Sequence, residues 1–139
     1  MSDFVLDASV ALAWVLDSPI ATFAIEVRRA LASGKRGLVP ALWHLEVANG
    51  LATAMRRRDL IGSDVDVALA TIQATLAQTI DTEMKFIPVG EALANARAFQ
   101  LTAYGAVYLE LARREGLPLA TLDKGLRAAA TKAGIRPMS

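Results

Sequence analysis

The stretch FVLDASVALAWVL, residues 4–16, decides the fold. Phe4, Val5 and Leu6 form a short aromatic and aliphatic run that ends at Asp7, which is typical of a buried strand. A helical pattern follows at once over residues 8–16. A strand that ends in an acid and continues into a helix is the start of an α/β unit, so the chain is expected to build a sheet covered by helices.

The same alternation of strand and helix continues along the chain. Short apolar strands between helices predict an α/β protein of three layers, α/β/α, with a central parallel sheet. The sequence predicts strands over residues 38–40, 86–89 and 119–122, an edge strand over 135–137, and helices over about 20–33, 41–58, 63–80, 91–101, 102–116 and 123–133.

Composition narrows the class of protein. A chain of 139 residues with 54% hydrophobic residues is expected to form one domain, residues 1–139, with a substantial core. The net charge is +1, so binding to nucleic acid would require a local basic patch. There is no cysteine, which excludes disulfides and thiol chemistry. No signal peptide or membrane-spanning run is recognised, so we expect a cytoplasmic protein with no membrane partner.

Two aspartates follow predicted strands directly. Asp7 ends the first strand, and Asp123 follows the strand over residues 119–122. Ligands of parallel sheets bind outside the carboxyl ends of the strands, which makes this pair a candidate site. The alternative is that each aspartate caps the helix that follows it, a common role for this residue.

Glu46 is a third candidate acid. It lies on the predicted helix over residues 41–58, in line with Asn49, Gly50 and Thr53, on a seam of small and polar residues. Small residues allow another group to approach closely, although such a seam can also be plain solvated surface. The apolar face of this helix is predicted at 3.6-residue spacing, and it comprises Leu45, Ala48, Leu51, Ala52 and Met55.

Carboxylates that converge on one point repel each other and raise each other's pKa values unless a cation joins them. Oxygen ligands without a cysteine or histidine cluster favour Mg²⁺ or Mn²⁺. Such an ion can activate water and stabilise a phosphoryl transition state. The acids alone therefore suggest a metal-dependent nuclease.

Gly105 is an anomaly in the helix that begins near residue 102. Thr102 is a plausible N-cap, which puts Gly105 at the third helical position. A capping box and the helix dipole both favour an acidic side chain there, whereas glycine is about 0.8–1 kcal/mol worse than alanine in a helix. The local pattern therefore calls for an acid where the sequence has glycine.

Three blocks of this sequence resemble PIN-domain ribonucleases of the VapC toxin type. They are FVLDASVALAWVLD at residues 4–17, VPALWHLEVANGLATAMRR at 39–57 and LTAYGAVYLELARREGLPLATLDKGLRAAATKAGI at 101–135. The resemblance implies a PIN fold with an acidic pocket that binds Mg²⁺ or Mn²⁺. It also implies endoribonuclease activity on RNA, neutralisation by a VapB-type antitoxin, and a homodimer.

The resemblance also assigns residues to the site. Asp7 matches the first acid of the family, Glu46 the second and Asp123 the fourth, so these three are the expected catalytic and metal-binding residues. The positions beside them are expected to support these acids, and they are held by Ser9, Asn49 and Thr121. The run Arg56-Arg57-Arg58 is usually just a solvated helix end that the helix dipole favours, and in a nuclease it could bind phosphates.

The third acid of the family belongs in a block usually written Tyr-Asp-Ala. Here that block is Tyr104-Gly105-Ala106, so glycine occupies the place of a metal-binding aspartate. We therefore expect weak metal binding and poor RNA cleavage. The alternative is a non-catalytic PIN fold retained for binding antitoxin or RNA.

Overall fold

A parallel four-stranded sheet organises the chain. The computed structural model describes residues 1–138, in which the strands lie in the order β3-β2-β1-β4 and every pairing is parallel. The strands are β1 (Phe4–Leu6), β2 (Gly37–Pro40), β3 (Ile80–Glu83) and β4 (Leu119–Ala120). The helices are α1 (Ala8–Leu16), α2 (Thr22–Ala32), α3 (Leu42–Arg56), α4 (Gly62–Thr79), α5 (Val89–Phe99), α6 (Ala103–Glu115) and α7 (Lys124–Lys132).

The helices form two layers. Helices α1 to α4 pack mainly against one another, while α6 packs against α5 and α7, and the two groups have little direct contact. The sheet lies between them, and its central strand β1 is completely buried. This arrangement confirms the predicted α/β/α architecture with a central parallel sheet.

The predicted strand over residues 86–89 is wrong. The third strand is Ile80–Glu83, and the segment over 84–88 is irregular. The predicted helix over 63–80 therefore runs into the first residue of the actual strand. Arg36 fixes this register, because its guanidinium makes two hydrogen bonds to the carboxylate of Asp81, at 2.7 and 3.1 Å, and a third to the backbone oxygen of Gln78. Phe86 is 81% exposed and contributes nothing to the sheet.

The predicted apolar face of α3 is also wrong in most of its members. The helix buries Trp43, Val47, Leu51 and Ala54, and of the predicted face only Leu51 is buried. The packing of α3 against α1 explains the difference, because a Cβ at Gly50 would lie 2.5 Å from a methyl carbon of Leu12. The side of α3 next to Gly50 therefore faces α1. The opposite side is left exposed, with Leu45, Ala48, Ala52 and Met55.

Helix ends follow their local signals closely. The Thr102 hydroxyl accepts a hydrogen bond from the Gly105 N–H at 3.1 Å, which makes it the N-cap of α6. Gly116 ends the same helix with φ +66°, a left-handed conformation that favours glycine. The expected edge strand over 135–137 is reduced to one parallel bridge between Leu119 and Pro137. Within residues 1–138, none of the helices has the length and apolarity needed to cross a bilayer.

Candidate active site

The three candidate acids all lie at the carboxyl edge of the sheet. Asp7 directly follows β1, Asp123 lies three residues beyond the end of the neighbouring strand β4, and Glu46 is in the second turn of α3, just after β2. The backbone N–H of Asp7 donates to the oxygen of Ala120 at 3.0 Å, which holds the ends of β1 and β4 together. The fold therefore brings acids from distant parts of the sequence to one edge, because parallel strands all have their carboxyl ends at the same edge of the sheet.

Asp7 is buried and is held by hydroxyl groups. It is 7% exposed, and its Oδ2 accepts hydrogen bonds from Ser9 at 2.6 Å and Thr121 at 2.7 Å. Although Asp7 occupies the N-cap position of α1, its side chain makes no capping hydrogen bond. The capping explanation therefore does not account for this carboxylate. Both hydroxyls use the same oxygen, so Oδ1 receives none.

Asp7 is also in an environment that disfavours its charge. Burial raises the pKa of its carboxyl above the usual value, and the charge of Asp123 raises it further. The hydrogen bonds from Ser9 and Thr121 oppose this rise because they stabilise the ionised form. A cation at this position would compensate for both destabilising effects.

Asp123 combines the two roles considered for it. Its Oδ1 accepts a hydrogen bond from the backbone N–H of Leu126 at 3.0 Å, so it is the N-cap of α7. Its side chain is nonetheless exposed, and its charge acts on Asp7. Thr121 connects the two acids, since its hydroxyl oxygen also accepts the Asp123 N–H at 3.0 Å.

Glu46 is held from the opposite helical layer. The hydroxyl of Tyr108, on α6, donates to its Oε1 at 2.5 Å. Burial raises the pKa of Glu46, the Tyr108 hydrogen bond opposes that rise, and the charge of Asp7 adds to it. Tyr108 is 1% exposed, and its own pKa is raised by burial and by the hydrogen bond to Glu46, so it remains a donor. Sequence reasoning missed this contact; the available signal was the one-turn spacing of Tyr108 from Gly105.

Gly105 lies at the start of α6. Tyr104, just before it, lines a cleft together with Glu46, and Tyr108, one turn after it, donates its hydroxyl to Glu46. A Cβ added at this glycine would lie 3.4 Å from the Thr102 hydroxyl oxygen, with its other nearest contacts at 3.7 Å and 3.8 Å to Leu101. These are ordinary contact distances, and the backbone is not in a conformation that requires glycine. Neither sterics nor backbone geometry therefore explains the glycine, and an aspartate would fit.

The remaining predicted residues are not all brought to the acids. Asn49 is exposed and lines a cleft of about 430 Å³ together with Leu42, Leu45, Glu46 and Tyr104. Arg56, Arg57 and Arg58 are exposed at the far end of α3, about 15 Å along the helix axis from Glu46 at 1.5 Å per residue. They are therefore separate from the acidic edge.

One further basic residue lies beside the acids and was not predicted. Arg127 donates to the backbone oxygen of Thr121 at 2.6 Å and packs over the ring of Phe23, 5.4 Å from the ring centre. The only feature of the sequence that could have indicated this placement is the position of Arg127 one helical turn after Asp123.

The donor set fits a magnesium-type ion in an open site. Across residues 1–138, no three or more Asp, Glu or His side chains are arranged to hold a metal ion together. Mg²⁺, however, commonly binds through one or two carboxylates and keeps several waters. Asp7 and Glu46 provide such carboxylates. Each is fixed through one oxygen by hydroxyl donors, and each has a raised pKa that a cation would reverse.

Comparison with known proteins decides the family. A model of the PIN domain family matches residues 4–132, which span all four strands and all seven helices of the described chain. The chain belongs to the PIN-domain family. PIN domains are generally metal-dependent nucleases.

A solved structure supports the same fold. The PIN domain described here is similar to the crystal structure of PAE2754 from Pyrobaculum aerophilum, with a TM-score of 0.69 and 23% sequence identity. The match covers 92% of this chain and 84% of the other. A search among curated proteins finds no match.

Proposed function

We propose that this PIN domain is a VapC-type toxin, built as a Mg²⁺- or Mn²⁺-dependent endoribonuclease that cleaves RNA phosphodiesters. The observation that carries the proposal is the acidic edge. Asp7, Glu46 and Asp123 come from three separate elements, and each is anchored through a single carboxylate oxygen. Metal-binding carboxylates are generally hydrogen-bonded by neighbouring groups, and here those bonds leave one oxygen of each acid without a hydroxyl donor.

The chain's own residues perform distinct tasks in this proposal. Asp7 and Glu46 would hold the ion, and Asp123, whose Oδ1 accepts the cap hydrogen bond of α7, would add negative charge beside them. Ser9 and Thr121 fix the orientation of Asp7. When bound, the ion would activate a water molecule and stabilise charge on the phosphoryl group.

Gly105 is proposed to impair this activity. The position starts α6 close to Tyr108, which contacts Glu46, and it has room for an aspartate. The absence of three ready-placed metal ligands in the described part of the chain is consistent with a missing third acid. We therefore expect weak binding of Mn²⁺ and slow cleavage of RNA by this sequence.

The partners follow from the same proposal and from the chemistry of the surface. A VapB-type antitoxin would neutralise the toxin in the cytoplasm. A homodimer is supported by the exposed side of α3, where Leu45 is 78% exposed and Met55 47% exposed. Leu45 and Met55 lie at the two ends of one exposed side of α3, with the exposed Ala48 and Ala52 between them. A continuous apolar side of this kind is typical of a surface that a partner covers.

A second candidate is a non-catalytic PIN fold that binds an antitoxin or RNA. Gly105 is the specific observation that favours it, because a binding protein has no need of the third acid. The same arrangement of Asp7, Ser9 and Thr121 argues against it, since a binding surface gains nothing from a buried carboxylate with a raised pKa.

Restoring the missing acid separates the two candidates. Purified wild type, Gly105→Asp, and Gly105→Asp combined with Asp7→Asn are incubated with single-stranded RNA and Mn²⁺, and cleavage is followed by gel. The proposal expects at least a tenfold gain for Gly105→Asp, lost again with Asp7→Asn and with EDTA. If Gly105→Asp stays as inactive as the double variant, the non-catalytic candidate is correct. Cleavage by the wild type at the rate of Gly105→Asp would contradict the impairment.

A further inference from the structure

The hydrogen bond between Tyr108 and Glu46 has an unusual place in the fold. Glu46 belongs to α3 in one helical layer and Tyr108 to α6 in the other, 62 positions apart in sequence. Throughout residues 1–138, no other side-chain hydrogen bond joins a helix of one layer to a helix of the other. The bond therefore crosses the carboxyl edge of the sheet, where the acids lie.

The geometry of the pair restricts the carboxylate of Glu46. Tyr108 is 1% exposed, so its ring is fixed by the core and its hydroxyl has a defined position. The hydroxyl donates to Oε1, while Oε2 of Glu46 has no hydrogen-bond partner in the described residues. Asp7 shows the same pattern, with two hydroxyls on Oδ2 and none on Oδ1. In both acids, one oxygen orients the carboxylate and the other stays available.

We propose that Tyr108 is a positioning residue that fixes Glu46 by one oxygen and leaves the other to bind the metal ion. The proposal rests on the proposed metal-dependent function. A glutamate side chain has three rotatable bonds, so a carboxylate on α3 reaches one position at the sheet edge only if something holds it. Removing a hydrogen-bond partner of this kind typically lowers metal affinity 10–100-fold.

A purely structural role is the competing explanation, because a buried tyrosine hydroxyl usually finds a hydrogen-bond partner. That role predicts a change in stability but none in metal affinity. The test therefore measures Mn²⁺ binding by isothermal titration calorimetry. It uses the full chain carrying Gly105→Asp as parent, and compares Tyr108→Phe, Glu46→Gln and the double variant in that background. Phenylalanine preserves the packed ring and removes only the hydroxyl. Circular dichroism and urea unfolding verify that each variant is folded at the temperature of the titration.

The proposal expects Tyr108→Phe to weaken Mn²⁺ binding about tenfold and expects no further loss from it once Glu46 is glutamine. Unchanged Mn²⁺ affinity in a folded Tyr108→Phe variant overturns it. So does an equal loss in the Glu46→Gln background, because the tyrosine would then act by another route. A parent that binds no Mn²⁺ and cleaves no RNA refutes the proposed function and this inference together, whereas a parent that binds normally isolates the failure to Tyr108.

Discussion

Replacing Gly105 by aspartate is expected to make the stability of this protein depend on metal. The glycine is the third helical residue of α6, after the Thr102 N-cap. Its surroundings leave room for a side chain, since the nearest heavy atom to an added Cβ is the Thr102 hydroxyl oxygen at 3.4 Å. The variant should therefore fold as the wild type does, and the effect of the new carboxylate is electrostatic.

Without metal, the effects of the substitution on stability oppose each other. Replacing glycine by aspartate improves helix propensity by about 0.3 kcal/mol. An acid in the first turn gains roughly 0.3–1 kcal/mol from the helix dipole. Repulsion from Asp7 and Glu46, whose pKa values are already raised, acts in the other direction. We expect a net change within about 1 kcal/mol of the wild type in EDTA.

With metal, the balance shifts clearly toward the variant. An ion present at 100 times its Kd adds about 2.7 kcal/mol of stability, which for a domain of this size raises Tm by roughly 10 °C. The assay is thermal unfolding in EDTA and in Mn²⁺, followed by the fluorescence of the buried Trp14 and Trp43. Wild type should shift far less than Gly105→Asp in the same buffers.

Gly62→Asp provides the matched control. Gly62 is also in the first turn of a helix, α4, with open space around an added Cβ, and it follows the end of α3 that is remote from Glu46. It should gain the local helix contribution but no dependence on Mn²⁺. The reasoning is refuted if Mn²⁺ stabilises Gly105→Asp no more than the wild type, or if Gly62→Asp gains the same Mn²⁺-dependent stability.

Three further predictions concern the supports of the site and its surroundings. Asp7→Asn should raise the free energy of unfolding by about 0.5–2 kcal/mol at pH 7 without metal. The pKa of Asp7 is raised by burial, so its ionised form costs native stability as pH rises through that pKa, and asparagine removes this cost. Urea unfolding at pH 4 and pH 7 should show a smaller gain at pH 4. Thr121→Val should lower the free energy of unfolding by about 1.5–3 kcal/mol, since it removes a buried hydroxyl bonded to a carboxylate. Leu45→Glu should change stability by less than about 0.5 kcal/mol, because the side chain is exposed. In sedimentation experiments it should be a monomer at concentrations where the proposed wild-type homodimer is expected to form.

Each of these has an outcome that contradicts it. A loss of stability in Asp7→Asn at pH 7 would mean that the carboxylate is better satisfied than its burial suggests. An unfolding free energy for Thr121→Val equal to the wild type would show that the hydroxyl is unimportant for Asp7. A dimer that persists in Leu45→Glu would place any self-association elsewhere on the surface.

Local sequence was sufficient wherever neighbouring residues decide the structure. The run Phe4–Leu6 before an acid predicted β1, and Thr102 and Gly116 marked the ends of α6. These signals depend on caps, strand propensity and backbone conformation, all of which act within a few residues. The sequence also identified Gly105 as a place that favours an acid, from the cap of the helix alone.

Sequence reasoning was unreliable where distant residues choose between similar local patterns. Phe86 to Val89 looked like a strand, but Ile80–Glu83 forms it because Arg36 pairs with Asp81 from the neighbouring strand. The apolar positions of α3 allowed more than one buried face, and the contact of Leu12 with Gly50 selected the actual one.

The sequence by itself determined the alternating strands and helices, the aspartates that follow strands, and the glycine at position 105 of a helix start that favours an acid. Those features are local, because they depend on the order of residues along the chain. Only the tertiary structure decided that the Thr121 hydroxyl holds Asp7 and that Tyr108 reaches Glu46 across the sheet edge. Such contacts join residues up to 114 positions apart, and no local propensity encodes them because they exist only after the two helical layers have packed onto the sheet.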